Sequence, residues 1–181
     1  MRINQYIAVL DACVLIPMPV ADTLLRLAEE PEFYLPRWSE EILNETARNL
    51  VSKFSIDPKN VERRIATMKA CFPEAMVDGY QELSKVMSNH PKDRHVLAAA
   101  IVSGAHAIVS NNTKHFPEEC LAPYNMECLT ADEFIGHQYH LDPDLFIAKL
   151  TEQAADIGWS LHQLISRHVP ILSTLIATPP E

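Results

Sequence analysis

Apolar residues recur along the chain in two periods, and the alternation between them sets out a fold. Ile7-Ala8-Val9-Leu10 is a short run without polar alternation, the pattern of a central strand covered on both faces. After Pro17 and Pro19, Val20, Leu24, Leu25, Leu27 and Ala28 follow at helical spacing. Phe33-Tyr34-Leu35 reads as a second short strand, closed by Pro36. Ser39 stands as the cap of a helix whose inward stripe is Ile42, Leu43, Ala47, Leu50 and Val51. Asp57-Pro58 opens another helix, with Val61, Ile65, Met68 and Phe72 inward and Pro73 at its end.

After a short extended piece at Met76-Val77, the stretch NHPKDRHVLAAA opens a plain apolar helix that Gly104 stops. His106-Ala107-Ile108-Val109-Ser110 and Met126-Glu127-Cys128-Leu129 read as the remaining strands, and Thr130 caps a helix from Ala131. Strands alternating with helices predict an α/β fold, a parallel sheet with helices on both faces. From Asp142 onward the period is helical only, through Leu145, Ala148-Lys149-Leu150 and Trp159 to Val169, broken at Pro170. The expected organisation is a main domain over residues 1–138 and a helical C-terminal extension over 139–181 packed on it.

Composition narrows the class. With 181 residues, 48% hydrophobic and 22% charged, the chain matches one soluble domain with a short appendage and not a disordered segment. No apolar run approaches the roughly 18–20 residues that span a bilayer. The apolar N-terminus is interrupted by Asp11, so it reads as a core strand and not a signal peptide, and the cytosol is the expected location. Cys13, Cys71, Cys120 and Cys128 form no CxxC pair and are expected as free thiols. The net charge of −9 argues against indiscriminate nucleic-acid binding. Yet residues 48–69 carry six basic side chains against two acids, and residues 118–181 carry ten acids against Lys149 and Arg167. These are either solvated helix faces or a local basic rim for a polyanion beside an acidic tail.

In an open parallel sheet, ligands bind beyond the carboxyl ends of the strands. Asp11 emerges there directly after the first strand, and Ser110-Asn111-Asn112 directly after the third. Pro91 belongs in a first helical turn, which makes Asn89 or His90 the cap and sets Asp93 inside the helix, on the stripe of Leu97 and Ala100. A carboxylate facing inward needs compensation that a helix dipole supplies only in part. Taking about 100° per residue, Glu45 lies nearer the buried stripe of its helix than Glu40 or Glu41 does. Each acid also has an ordinary reading, as a turn aspartate, a first-turn acid or an exposed glutamate. Taken together, several inward carboxylates at one edge call for a cation, and oxygen ligands select Mg2+ or Mn2+. Such a site suits phosphodiester hydrolysis.

The stretches VLDACVL, LPRWSEEILNETARNL, DRHVLAAAI, AIVSNNTKHFP and LAPYNMECLTADEF resemble, in order and spacing over roughly residues 6–136, the PIN-domain ribonucleases, in particular the VapC-like toxins of toxin–antitoxin modules. The resemblance implies a PIN-like three-layer α/β/α fold and a Mg2+- or Mn2+-dependent endoribonuclease acting on RNA, with an antitoxin protein as partner and often a homodimer. It aligns Asp11, Glu45 and Asp93 with the family's metal-binding acids, and Asn112 with a further polar catalytic position, Ser110 standing in place of a threonine. His90 and His115 stand where relatives commonly carry aspartates. A haloacid-dehalogenase phosphatase needs a second aspartate where this chain has Cys13, and a receiver domain needs an N-terminal acidic pair and a late lysine that are not evident. The remaining alternative is a catalytically weakened PIN-fold RNA-binding or interaction protein.

Overall fold

The computed structural model describes residues 6–168 and Pro170. Four strands, β1 (Ile7–Leu10), β2 (Leu35–Arg37), β3 (Ala107–Val109) and β4 (Glu127–Leu129), form one parallel sheet in the order β2-β1-β3-β4. The helices are α1 (Ala12–Leu15), α2 (Val20–Ala28), α3 (Glu40–Ser52), α4 (Pro58–Cys71), α5 (Gln81–Ser84), α6 (Arg94–Val102), α7 (Glu118–Leu121), α8 (Ala131–Leu141), α9 (Pro143–Asp156) and α10 (Leu161–His168). The arrangement is the expected three-layer α/β/α fold with a helical C-terminal region.

The two central strands are apolar throughout because both faces are covered: Ala8, Val9, Leu10, Ala107, Ile108 and Val109 have no solvent exposure. The residues Val96 to Ala100 of α6 are buried as well, and its run of three alanines leaves no bulk between the helix and its neighbours. Local signals start the helices where the sequence places them. Ser39 Oγ accepts from Ile42 N at 3.2 Å, Asp57 Oδ1 from Lys59 N at 2.8 Å, and Thr130 with Glu133 closes a capping box on α8. Gly104, at φ +65°, ends α6 in the left-handed region that favours glycine.

The second strand departs from expectation. It is Leu35–Arg37, with Phe33 and Tyr34 buried ahead of it and Pro36 inside it. Leu35 N donates to Tyr6 O at 2.9 Å, so the next nitrogen in the pleat faces away from β1 and proline loses no ladder bond there. On that outer side, the extended piece at Met76-Val77 pairs only as a bridge to Trp38. Of the stripe on α4, Val61 and Met68 are buried, whereas Ile65 and Phe72 are half-exposed. All four cysteines are free thiols.

At the C-terminal side, Asp142 caps α9 through Leu145 N at 3.2 Å. Helix α9 is fixed to α2 by buried polar contacts. Lys149 Nζ donates to Arg26 O and Glu29 O, both at 2.9 Å, supplying a cation to the last carbonyls of α2. Gln153 accepts from Thr23 Oγ1 at 2.7 Å and donates to Pro19 O at 3.0 Å. Val169 and residues 171–181, with the far end of the expected extension, lie outside the described residues. Among the described residues, no helix is long and apolar enough to cross a membrane.

Lys149→Met keeps the apolar stem and removes the donor from two helix-terminal carbonyls. Urea unfolding is expected to show a loss of about 1–3 kcal/mol, the cost of leaving such acceptors unpaired. A loss below about 0.5 kcal/mol would show that water replaces the ammonium without penalty.

Candidate active site

The site begins with the register of β1 and β3. Leu10 lies opposite Val109, so the residues that follow them, Asp11 and Ser110, leave the sheet side by side. Asp11 N donates to Val109 O at 3.1 Å, which extends the ladder one residue beyond the strand. The Asp11 side chain, only 3% exposed, is held on both oxygens. Oδ1 accepts from Ala12 N at 2.7 Å at the start of α1, and Oδ2 accepts from Ser110 Oγ at 2.7 Å and from Cys13 Sγ at 3.2 Å. The Cys13 thiol is pushed up to about 12 by burial first and by the Asp11 charge second, which keeps it protonated and donating.

Asp93 comes to the same place on α6. Pro91–Asp93 forms a single 3-10 turn with His90 as its cap, and Asp93 occupies the cap position of α6 and not its interior as expected. The reason is local: Asp93 has φ −115° and ψ 14°, outside helical values, while Arg94 has helical ones. The inward direction of the carboxylate is nevertheless as expected, since the residue is 6% exposed. Asn89, itself buried, donates through Nδ2 to Asp93 O at 3.0 Å and so fixes the turn.

Glu45 completes the set from α3. It is half-buried, and its carboxyl is held above the usual range by burial, then by the negative charge of Asp11 and, further down, of Asp93. His95 and Arg48 oppose these effects. Glu45 is therefore within electrostatic reach of the other two acids named from the sequence. Among the described residues, no Lys or Arg lies within ion-pair distance of Asp11, Glu45 or Asp93. Such a set of oxygens without a fixed cation is suited to a hard divalent ion.

Asn112 is placed less directly. Its backbone N donates to Ser110 Oγ at 3.1 Å, which orients the hydroxyl that holds Asp11. The neighbouring Asn111 uses its side chain structurally, accepting from Ala131 N at 3.2 Å at the head of α8.

Sequence reasoning passed over His95. It is 7% exposed, its Nε2 lies 3.8 Å from Glu45 Oε2 and its Nδ1 3.9 Å from Glu41 Oε2. Among the described residues, Nδ1 has no hydrogen-bond partner. The sequence carries only half of the signal: Glu41 and Glu45 are spaced i, i+4 and so share a face of α3, but that His95 faces them is set by the tertiary packing. Ser110 was underrated in the same way, since the hydroxyl that fixes Asp11 looks like any strand-end serine.

The basic stretch is only partly available to a ligand. Arg64 Nη2 donates to Leu15 O at 2.5 Å and ties α4 to α1, and Lys69 pairs with Glu40 at 2.6 Å. An open groove of about 500 Å3 runs between α3 and α4, lined by Ala47, Val51, Val61 and Ile65 with Arg48 and Lys69 at its sides. It holds none of the three acids.

Comparison with known proteins places the fold in a family. A family model described as "PIN domain" matches residues 8–114, a span that includes Asp11, Glu45, Asp93 and Asn112. Over 67 residues the chain is 48% identical to a protein of Mycobacterium tuberculosis (strain ATCC 25618 / H37Rv) named "Putative ribonuclease VapC50". That alignment covers 37% of this chain and 40% of the relative.

Charge repulsion at the site gives a test without substrate. Because the Glu45 pKa is raised on folding, its charged form opposes folding, and the penalty grows as pH rises from below 4.5 through the raised folded value. Glu45→Gln is therefore expected to raise the Tm of the metal-free protein by about 1–3 °C at pH 7, a small effect because solvent screens the half-exposed group. The gain should vanish near pH 4. An equal gain at both pH values would assign it to something other than charge.

Proposed function

The chain belongs to the PIN-domain family, and from this membership and the acidic edge we propose that it is a metal-dependent endoribonuclease, the toxin of a toxin–antitoxin pair. The observation that carries the reading is the convergence of Asp11, Glu45 and Asp93, each from a different element, with no Lys or Arg at ion-pair distance among the described residues. The name of the relative, a ribonuclease, supports RNA as the substrate, over the two-fifths of that protein that aligns. Residues 1–138 form the nuclease unit in this reading, and residues 139–181 a helical extension.

Asp11, Glu45 and Asp93 would hold Mg2+ or Mn2+, whose oxygen preference fits a set of carboxylates. When bound, such an ion supplies positive charge at the scissile phosphate and a water of lowered pKa. The protein's own groups do the positioning. Ser110 Oγ and Ala12 N fix both oxygens of Asp11, leaving the carboxylate one orientation. Asn112 N holds the Ser110 hydroxyl through its acceptor lone pair, so that its proton points to Asp11. His95, buried beside Glu45, limits the positions of that side chain. Arg48 on α3, Lys53 just after it, and Lys59 and Arg63 on α4 supply positive charge for an RNA backbone, against the negative charge of the whole chain.

An antitoxin segment in this reading lays an apolar face in the groove between α3 and α4 and sets a basic side chain among the carboxylates. Mutual occupancy by a second copy of the chain, as a homodimer, is the other assembly to be measured.

Purified protein should cleave structured RNA with Mg2+ or Mn2+, and EDTA should stop it. Asp11→Asn and Asp93→Asn are each expected to lower the rate by about 100-fold or more, and Ser110→Ala by about 10-fold as a supporting partner. Cleavage surviving Asp11→Asn would locate the activity elsewhere. RNA that binds but stays intact under every condition would favour the binding-protein alternative. Co-expression with the product of a neighbouring reading frame should give a stable complex without nuclease activity, and free, non-toxic protein in its absence would contradict the toxin role.

A further inference from the structure

A second group of ligands lies against the acidic centre and differs from it in chemistry. One ring nitrogen of His90, one of His115 and a carboxylate oxygen of Asp93 lie within 4.8 Å of one another. We propose that these three residues form a mixed nitrogen–oxygen site for a borderline first-row cation, taking Zn2+ or Co2+ in preference to Mg2+. It shares Asp93 with the acidic centre and to that extent rests on the reading above.

The geometry is organised by backbone as well as side chains. His90 N donates to His115 O at 3.3 Å, which ties together the turn before α6 and the 3-10 turn after β3. The two imidazoles stack at 4.0 Å between centroids with 10° between planes. Asp93 Oδ2 lies 2.5 Å from His115 Nδ1 and 3.8 Å from His90 Nδ1, so one oxygen serves both rings and Oδ1 is uncommitted to them. The trio comes from a buried, a half-buried and an exposed residue, so it opens to solvent on the His90 side.

Tetrahedral Zn2+ has ligands at about 2.0–2.1 Å, which sets neighbouring donor atoms roughly 3.3 Å apart. His90 Nδ1 and Asp93 are near that spacing, and the ion displaces the long 3.4 Å bond that this nitrogen accepts from Lys92 N. His115 and Asp93 are closer, at hydrogen-bond distance, and must separate by about 0.8 Å on the same tetrahedral criterion. The ion takes the place of the shared proton. The Nδ1 lone pair becomes free when that proton leaves to solvent and the ring, if neutral, takes the Nε2–H form. Three protein ligands leave a fourth position for water, the pattern of an open site. Two imidazoles with one carboxylate suit Zn2+ and Co2+, whereas Mg2+ dehydrates reluctantly and prefers oxygen. The alternative is a latch in which His115 merely orients Asp93.

Isothermal titration of the full, chelator-stripped chain with Zn2+ and, separately, with Mg2+ tests this, with Co2+ absorption reporting coordination directly. Zn2+ is expected to bind at least about 100-fold more tightly than Mg2+, following ligand preference. His90→Ala and His115→Ala should each weaken Zn2+ by about 10-fold or more and leave Mg2+ within about 2-fold. Asp11→Asn should do the reverse. Circular dichroism checks folding of each variant. Should His115→Ala unfold, His115→Gln and the exposed His90→Ala carry the comparison. Zn2+ affinity unchanged in the histidine variants overturns the site and leaves the acidic centre standing. Histidine-dependent Zn2+ binding in a protein that ignores Mg2+ supports this site and removes the hard-ion assignment instead.

Discussion

Mutual repulsion of carboxylates at one end of the sheet is the constraint on which the rest of the site depends. Asp11 and Asp93 are nearly buried, and Glu45 is half-buried within reach of both charges. Buried acids elsewhere are matched by basic side chains or neutralised. On Asp11 the partners are dipoles, Ala12 N and the Ser110 hydroxyl, and on Asp93 the contact is a ring nitrogen of His115. Hydrogen-bond donors of this kind hold a carboxylate in place without discharging it. The edge therefore retains its negative potential for a ligand, at some expense in stability of the metal-free fold.

The fold absorbs that strain through rigid surroundings. Asp11 follows three strand residues, Ala8 to Leu10, that are wholly buried, and its backbone continues the ladder to Val109. Asp93 heads a helix all of whose residues from His95 to Ala100 are buried. Glu45 rides on α3, which Ser39 starts at a fixed residue. Each acid is thus carried by an element whose position is decided by apolar burial. This division, with apolar packing for placement and polar contacts for orientation, recurs in the contact of α9 with α2. There Lys149 and Gln153 lie buried with their donors taken up by backbone carbonyls.

Sequence periodicity was enough to find the layers, because buried parallel strands and apolar helix stripes leave strong signals. The three acids were legible for the same reason, as polar residues at positions where the pattern calls for apolar ones or at strand ends. Boundaries were less legible. Pro36 marked the end of a strand on paper, but an edge strand tolerates it in one of its two orientations, and the pleat decides which. Asp93 falls at the cap of α6 because the turn before it is 3-10, a difference of one residue that no propensity resolves. His95 and Ser110 escaped because their roles depend on contacts across 50 and 99 residues of sequence, between His95 and Glu45 and between Ser110 and Asp11. The pairing of His90 with His115 is likewise a product of tertiary closeness.

The central claim is that Asp11, Glu45 and Asp93 share a divalent cation. Crystals soaked in Mn2+ and measured at the manganese absorption edge test it most directly. The account predicts an anomalous peak bounded by oxygens of Asp11, Glu45 and Asp93, lost in crystals of Asp11→Asn. Saturating Mn2+ without density among those three carboxylates, in a lattice that leaves the sheet edge open, would contradict it.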